Sequence, residues 1–328
     1  MKALTPLSLA ALAGAVLFAM AWHISVGARA VPMAEVWRAF TAPDPALFDH
    51  VVVRDLRLPR ALAAAAVGAA LAVAGALMQA ITRNPLAEPG TLGLMAGASS
   101  AVVLGIGWFG IAGTAWIPAF AAGGAVAAAA LVWLIASAVP GGARPLSMIL
   151  AGAAVSAFLG ALDSIAVLLD EETFRMLRGW MVGALGGADL AMLAQAGPWF
   201  AGGLLLSLGI ARPLTALALG DDTAQGLGLP VSRLRGLAVL AVVALTGASV
   251  ALAGLMGFVG LVIPHAVRLF AGADYARIVP MSALAGAAYL VVIDTVARIA
   301  LAPIEIATGL MTAIIGAPVF LWLVRTRA

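Results

Sequence analysis

Cysteine is absent from this chain, and lysine occurs once, at Lys2. Without thiols there is no disulfide, no thiolate metal site and no iron–sulfur ligation. A phosphate-binding P-loop sets its lysine against the nucleotide, so a chain whose one lysine is its second residue carries no such loop, and ATP-driven work would fall to a partner. Histidine occurs three times, at His23, His50 and His265, with no two at ligand spacing, so no metal site and no cofactor is expected in the chain. Charge is scarce too: 10% of residues, against roughly a quarter in soluble domains.

What is present is apolar. Hydrophobic residues make up 64% of the 328, and the mean hydropathy is +1.11. This composition predicts an all-α, polytopic membrane protein in a single domain, residues 1–328. The high isoelectric point reflects arginines flanking membrane spans, so lipid and not nucleic acid is the expected environment. Segments near the length of about 20 residues needed to cross a bilayer fall at 4–26, 61–81, 91–109, 116–138, 146–168, 190–211, 236–254, 256–270, 279–300 and 304–324. The start of the chain imitates a secretory signal ending in Ala28-Arg29-Ala30, yet its apolar run from Leu7 to Val26 exceeds the roughly 7–15 residues of a signal core, which predicts a retained first span. An even count puts both termini on one side, and Lys2, Arg325 and Arg327 assign that side to the cytoplasm. Arg54, Arg57 and Arg60 then stand at the outer mouth of the second span, against the rule. They read either as snorkelling anchors or as a positive surface for an acidic partner.

Several strings carry more than hydropathy. Gly152, Ser156 and Gly160 on the fifth span, and Thr312 and Gly316 on the tenth, recur at four-residue spacing, which suits close helix packing and also the lining of a pathway. "GAALAVAG" at 68–75 and "GASVALAG" at 247–254 agree at five of eight positions and run in opposite directions, the mark of an inverted repeat. "GIGWFG" at 105–110 spells a dinucleotide fingerprint but lacks the strand, helix and acid that give it meaning. No catalytic constellation is visible. Asp163 alone lies deep in a span, and with Asp294 it is what a proton-coupled carrier could use. Asp294 and Arg298, four apart, are sufficient to pair locally.

Two polar segments face water on the cytoplasmic side. In "TRNPLAEPG", 82–90, Pro85 and Pro89 end the second helix near Arg83, and Asn84 can cap its carbonyls. The second is the cytoplasmic segment 212–235; the string at 216–236 reads as two short helices, with Asp221 or Asp222 as N-cap, Gly226 and Gly228 as stops and Pro230 as a new start.

The strings "RLPRALAAAAVGAALAVAGALMQAITRNPLAEPGTLGLMAGA", "LGDDTAQGLG", "GFVGLVIPHAVR" and "TGLMTAIIGAPVF" resemble the signature strings of permease subunits of bacterial ABC importers for ferric siderophores, haem and cobalamin. The resemblance runs from about residue 54 to the end. It implies a homodimer in the bacterial inner membrane, about ten spans per subunit, two separate ATPase subunits holding ATP and Mg, and a periplasmic binding protein. By the same resemblance Gly220, Asp221, Asp222, Ala224, Leu227 and Gly228 couple to the ATPase. Asn84, Pro85 and Leu86 shape the cytoplasmic end of the pathway, and Arg57 and Arg298 meet acids of the binding protein. Ferric siderophore is the expected cargo, with haem and then cobalamin as alternatives. The string "LGLMAGASS" departs from many siderophore permeases by placing Met95 where they carry asparagine.

Overall fold

The computed structural model describes residues 6–27, 29–109, 116–140, 142, 144–169 and 180–325, and among them there is no strand beyond one isolated bridge between Leu301 and Ile304. Lys2 and Arg327, used above for orientation, lie outside the described residues. The helices are α1 Pro6–Ser25, α2 Met33–Thr41, α3 Phe48–Val51, α4 Leu58–Thr82, α5 Leu94–Phe109, α6 Ile117–Ala138, α7 Pro145–Leu169, α8 Leu190–Leu219, α9 Asp221–Gly226, α10 Val231–Ala253, α11 Val259–Ala271, α12 Tyr275–Ile299 and α13 Thr308–Arg325. A π turn, Val52–Arg57, joins α3 to α4, and a 3₁₀ turn, Pro89–Leu92, precedes α5.

The ten expected spans correspond to α1, α4 to α8 and α10 to α13. Among the described residues seven helices are long and apolar enough to cross a membrane, and the apolar parts of α5, α11 and α13 are shorter. Several boundaries differ from expectation. α8 continues past residue 211 to Leu219, carrying Pro198 and Pro213 inside it; neighbouring helices re-satisfy the backbone groups that proline frees. The eighth span shrinks to 13 residues, and the tenth begins at Thr308 instead of 304. Residues 212–219 thus belong to α8 and 231–235 to α10, so the polar segment narrows to 220–230 and holds one short helix, not two.

α4 is the hub. Of its most apolar window 78% is buried, against 17% for α1 and 22% for α7, which places α4 in the interior and the other two at the periphery. Its sequence explains this position. A Cβ at Gly68 would collide with the carbonyl of Gly286 on α12, and one at Gly75 with the carbonyl of Gly260 on α11. Lipid supplies no hydrophobic drive between helices, so such backbone approach is what brings the hub together with its neighbours. The repeat strings do not share this role: Gly75 is interior to α4, whereas Gly254 caps the end of α10 at φ 72° against the carbonyl of Trp180.

The bundle has two distinct ends. At one, the lower end, the turn after α4 meets α9 through Arg83 and Asp221, 3.9 Å apart. At the other, the upper end, Arg60 of α4 bonds Glu305 of the α12–α13 loop at 2.8 Å.

Candidate functional site

At the lower end the chain leaves α4 through Arg83 in the left-handed region, φ 51°. Asn84 then closes an Asx turn: its Oδ1 accepts the Leu86 N–H at 2.9 Å, and its carbonyl accepts from Ala87 at 3.1 Å. This corrects the expectation that Asn84 caps carbonyls; it serves as acceptor. Thr91 donates to the carbonyl of Glu88 at 2.7 Å, and Ala87 and Pro89 are buried, so the turn is fixed from below while Pro85 and Leu86 stay exposed. The Glu88 carboxylate accepts a hydrogen bond from the Phe258 backbone, and burial pushes its pKa up.

α9 stands beside that turn. Gly220, not an aspartate, caps it, and its φ of 134° lets α8 break and reverse. Asp221 and Asp222 are the first two helical residues, where their charge suits the positive end of the helix. Asp221 accepts from Arg235 Nη2 at 2.7 and 2.9 Å. Ala224 is buried beneath α9, Gly228 ends the segment at φ 77°, and Asp222 and Leu227 face outward, Leu227 being 67% exposed. Arg235, buried within α10, was not singled out from the sequence; it and Arg83 are what bring the two polar segments into one surface. Nearby, Tyr275 donates its N–H to Thr215 at 2.9 Å, tying α8 to α12.

At the upper end the charges converge on one carboxylate. Asp294, fully buried, accepts from His23 Nε2 at 2.8 Å, from Arg60 Nε and Nη2 at 2.8 and 3.0 Å, and from Thr308 Oγ1 at 2.6 Å. A carboxylate takes this many donors only as an acceptor, so His23 is the donor. Its i+4 neighbour Arg298 is 3.9 Å away, so the expected local pair is secondary to partners from α1, α4 and α13. Arg298 instead donates to the carbonyl of His23 at 2.7 Å. Arg57 lies across Gly27 and donates to the carbonyls of Ile24, Ser25 and Arg29.

A family model, described as the FecCD transport family, matches residues 15–326. The chain belongs to this family. It is 40% identical over 305 residues to the iron(3+)-hydroxamate import system permease protein FhuB of Bacillus subtilis, covering 92% of this chain and 78% of that protein. It is 39% identical over 313 residues to the ferric enterobactin transport system permease protein FepD of Escherichia coli, covering 95% and 92%. A solved structure titled as a metal-chelate type ABC transporter in an inward-facing conformation superposes with a TM-score of 0.86 at 29% identity, covering 98% of this chain and all of that one.

Within this FecCD-family fold most of the residues expected to meet a binding protein or to line a pathway have contacts inside the chain. Arg57 and Arg298 are buried and committed to backbone carbonyls, because the α1–α4 and α1–α12 crossings need donors for those groups; neither is a free surface charge. Of the residues expected along a pathway, most are packing contacts. A Cβ on Gly152 would strike the Thr91 carbonyl, Ser156 lies beside Gly93, Gly316 packs on Phe258, and Thr312 is buried with its hydroxyl on the Gly309 carbonyl. Gly160 alone of the five has open space around it. Asp163 sits opposite Ser99 and Ser100 of α5, with Oδ1 lacking a hydrogen-bond partner among the described residues.

Proposed function

We propose that this chain is the membrane-spanning subunit of an ATP-driven importer of ferric siderophores, and that it works in the bacterial inner membrane by alternating access. The carrying observation is the lower-end surface: Gly220 to Gly228 projects a rigid, outward-facing helix, anchored through Asp221, beside the Asn84–Leu86 turn. Such a knob suits insertion into a separate ATPase that holds ATP and Mg, as the absence of a P-loop requires. Movement of α9 would then act on the neighbouring turn through Arg83 and Asp221. The lower end faces the cytoplasm in this reading, with both termini on that side, and a substrate-binding protein meets the upper end without Arg57 or Arg298 as free charges.

A homodimer completes the pathway. The exposed face of α7 carries Ala153, Ala157, Gly160 and Ser164, small residues against which a second copy can pack closely. Siderophore cargo is supported by relatives at similar identity named for ferric chelates. Asp294 is too fully bonded to carry protons, which argues against a proton-coupled carrier.

The test is uptake by proteoliposomes containing this chain, its ATPase and its binding protein. ATP-dependent entry of a radio-iron hydroxamate or catecholate is expected. Faster entry of haem or cobalamin would replace the cargo, and uptake by the chain alone under a proton gradient would overturn the mechanism.

A further inference from the structure

The upper end carries a second amphipathic element that the transport reading leaves unused. In α2, Val36 and Ala39 are buried against Ile24 of α1 and Val53 and Ala61 near the start of α4, with Met20 and Leu58 beside them. These contacts set the depth of α2: it lies against the last turns of α1 and the first turn of α4, where the spans leave the membrane.

Its remaining surface divides in two. Met33, Trp37 and Phe40, at i, i+4 and i+7, share one face and are exposed, Trp37 by 70%. The opposite face is polar and already satisfied: Arg38 bonds Glu35 at 2.8 Å, and Glu35 faces His50 of α3 at 3.6 Å. Arg38 and Arg29 nevertheless reach solvent along this edge. The apolar arc of α2 therefore continues past the protein contact into open space, beside α1, whose Leu17 and Phe18 are exposed as well.

We infer that α2 is an in-plane interfacial helix whose Met33–Trp37–Phe40 face sits in the outer leaflet at headgroup depth. A tryptophan-bearing apolar face with arginines at its polar edge is the chemistry of the membrane interface. It fits lipid better than an aqueous protein partner, because the open face offers such a partner little to bond beyond the Trp37 indole N–H, a group that suits the headgroup region. The helix braces the outer ends of α1 and α4 independently of which cargo is carried; the inference rests on the chain spanning a membrane, and the choice of leaflet on the orientation proposed above.

The cysteine-free chain allows a direct test in nanodiscs of phosphatidylethanolamine and phosphatidylglycerol. Trp37→Cys and Phe40→Cys, labelled with an environment-sensitive dye, should show blue-shifted emission and lose most of it to lipids bearing a nitroxide near the top of the acyl chain. Arg38→Cys, on the polar face, should lose little. Adding the binding protein should change none of these. In the unsubstituted chain, an acyl-diazirine lipid should crosslink the peptide spanning α2. Water-like emission at 37 and 40, shielding that arises only with binding protein, self-quenching between two labelled copies, or absence of the crosslink would each overturn the assignment.

Discussion

Asp294 at the upper end and Asp221 at the lower end both accept an arginine within 2.8 Å, yet they stand in different media. Asp294 is wholly buried and joins four helices, α1, α4, α12 and α13. Asp221 keeps about a quarter of its side chain in solvent and joins α9 to α10 and the turn after α4. The same chemical pair is therefore a structural bolt in one place and a soft tether in the other. Removing one member of a buried set leaves other charges unpaired at low dielectric, whereas at Asp221 solvent already reaches the carboxylate and offsets part of that cost, even though Arg235 is buried. A machine that must keep one end assembled while a partner moves the other is suited by this difference.

Breaking the bolt should give the largest effect. Asp294→Asn is expected to destabilise the folded chain by about 3–5 kcal/mol, with Asp221→Asn costing less, because Asp221 stays partly in water although its partner Arg235 is buried. Thermal melts of both variants in nanodiscs would show this, and equal losses would dissolve the distinction. Next come the backbone approaches at the hub. Gly75→Val should cost about 1–3 kcal/mol or more by forcing α4 from α11, while Gly209→Val on α8, with open space around it, should leave the melt unchanged. At the lower end, Gly228→Ala places a side chain at φ 77° and should cost about 1–2 kcal/mol. If α9 couples to an ATPase, its uptake defect should exceed what that loss predicts, and uptake falling only in step with stability would count against coupling.

The smallest effect sharpens the picture of the lower turn. Because burial raises the Glu88 pKa, the folded chain holds a proton there that the unfolded chain releases above about 4.5. Stability contributed at this position is then full below that value and declines as pH rises through the raised folded pKa. Glu88→Gln keeps an acceptor for Phe258 without the charge, so its melting temperature should lack this decline. A parallel decline in both proteins would remove Glu88 as the cause.

Much of the architecture was legible in the chain because hydropathy is a local property. Each of the ten apolar runs found its helix, and the Pro85/Pro89 turn and Gly228 stood where their backbone preferences put them. The surroundings of the arginines were not legible for a related reason. Arg57 and Arg298 look alike in sequence to Arg54, but whether a guanidinium meets solvent or a carbonyl depends on α1 crossing near both. Arg235 gave no signal at all, since its partner is fourteen residues away across a turn. The small residues at 152, 156, 312 and 316 marked close approach correctly and could not say to what.

α2 shows the same limit. Its i, i+4, i+7 apolar spacing is written in the sequence, but it is too short to register as a span and too polar to register as core. Composition alone determined that the chain crosses a membrane, that it holds no nucleotide loop or thiol chemistry, and roughly where each helix lies, because transfer into lipid acts on every residue separately. Which carboxylate became the bolt, which arginines were consumed inside and which faces stayed open were decided only in the tertiary structure. Those outcomes depend on pairs of groups brought together across as many as 275 residues, and no local free energy encodes such a meeting.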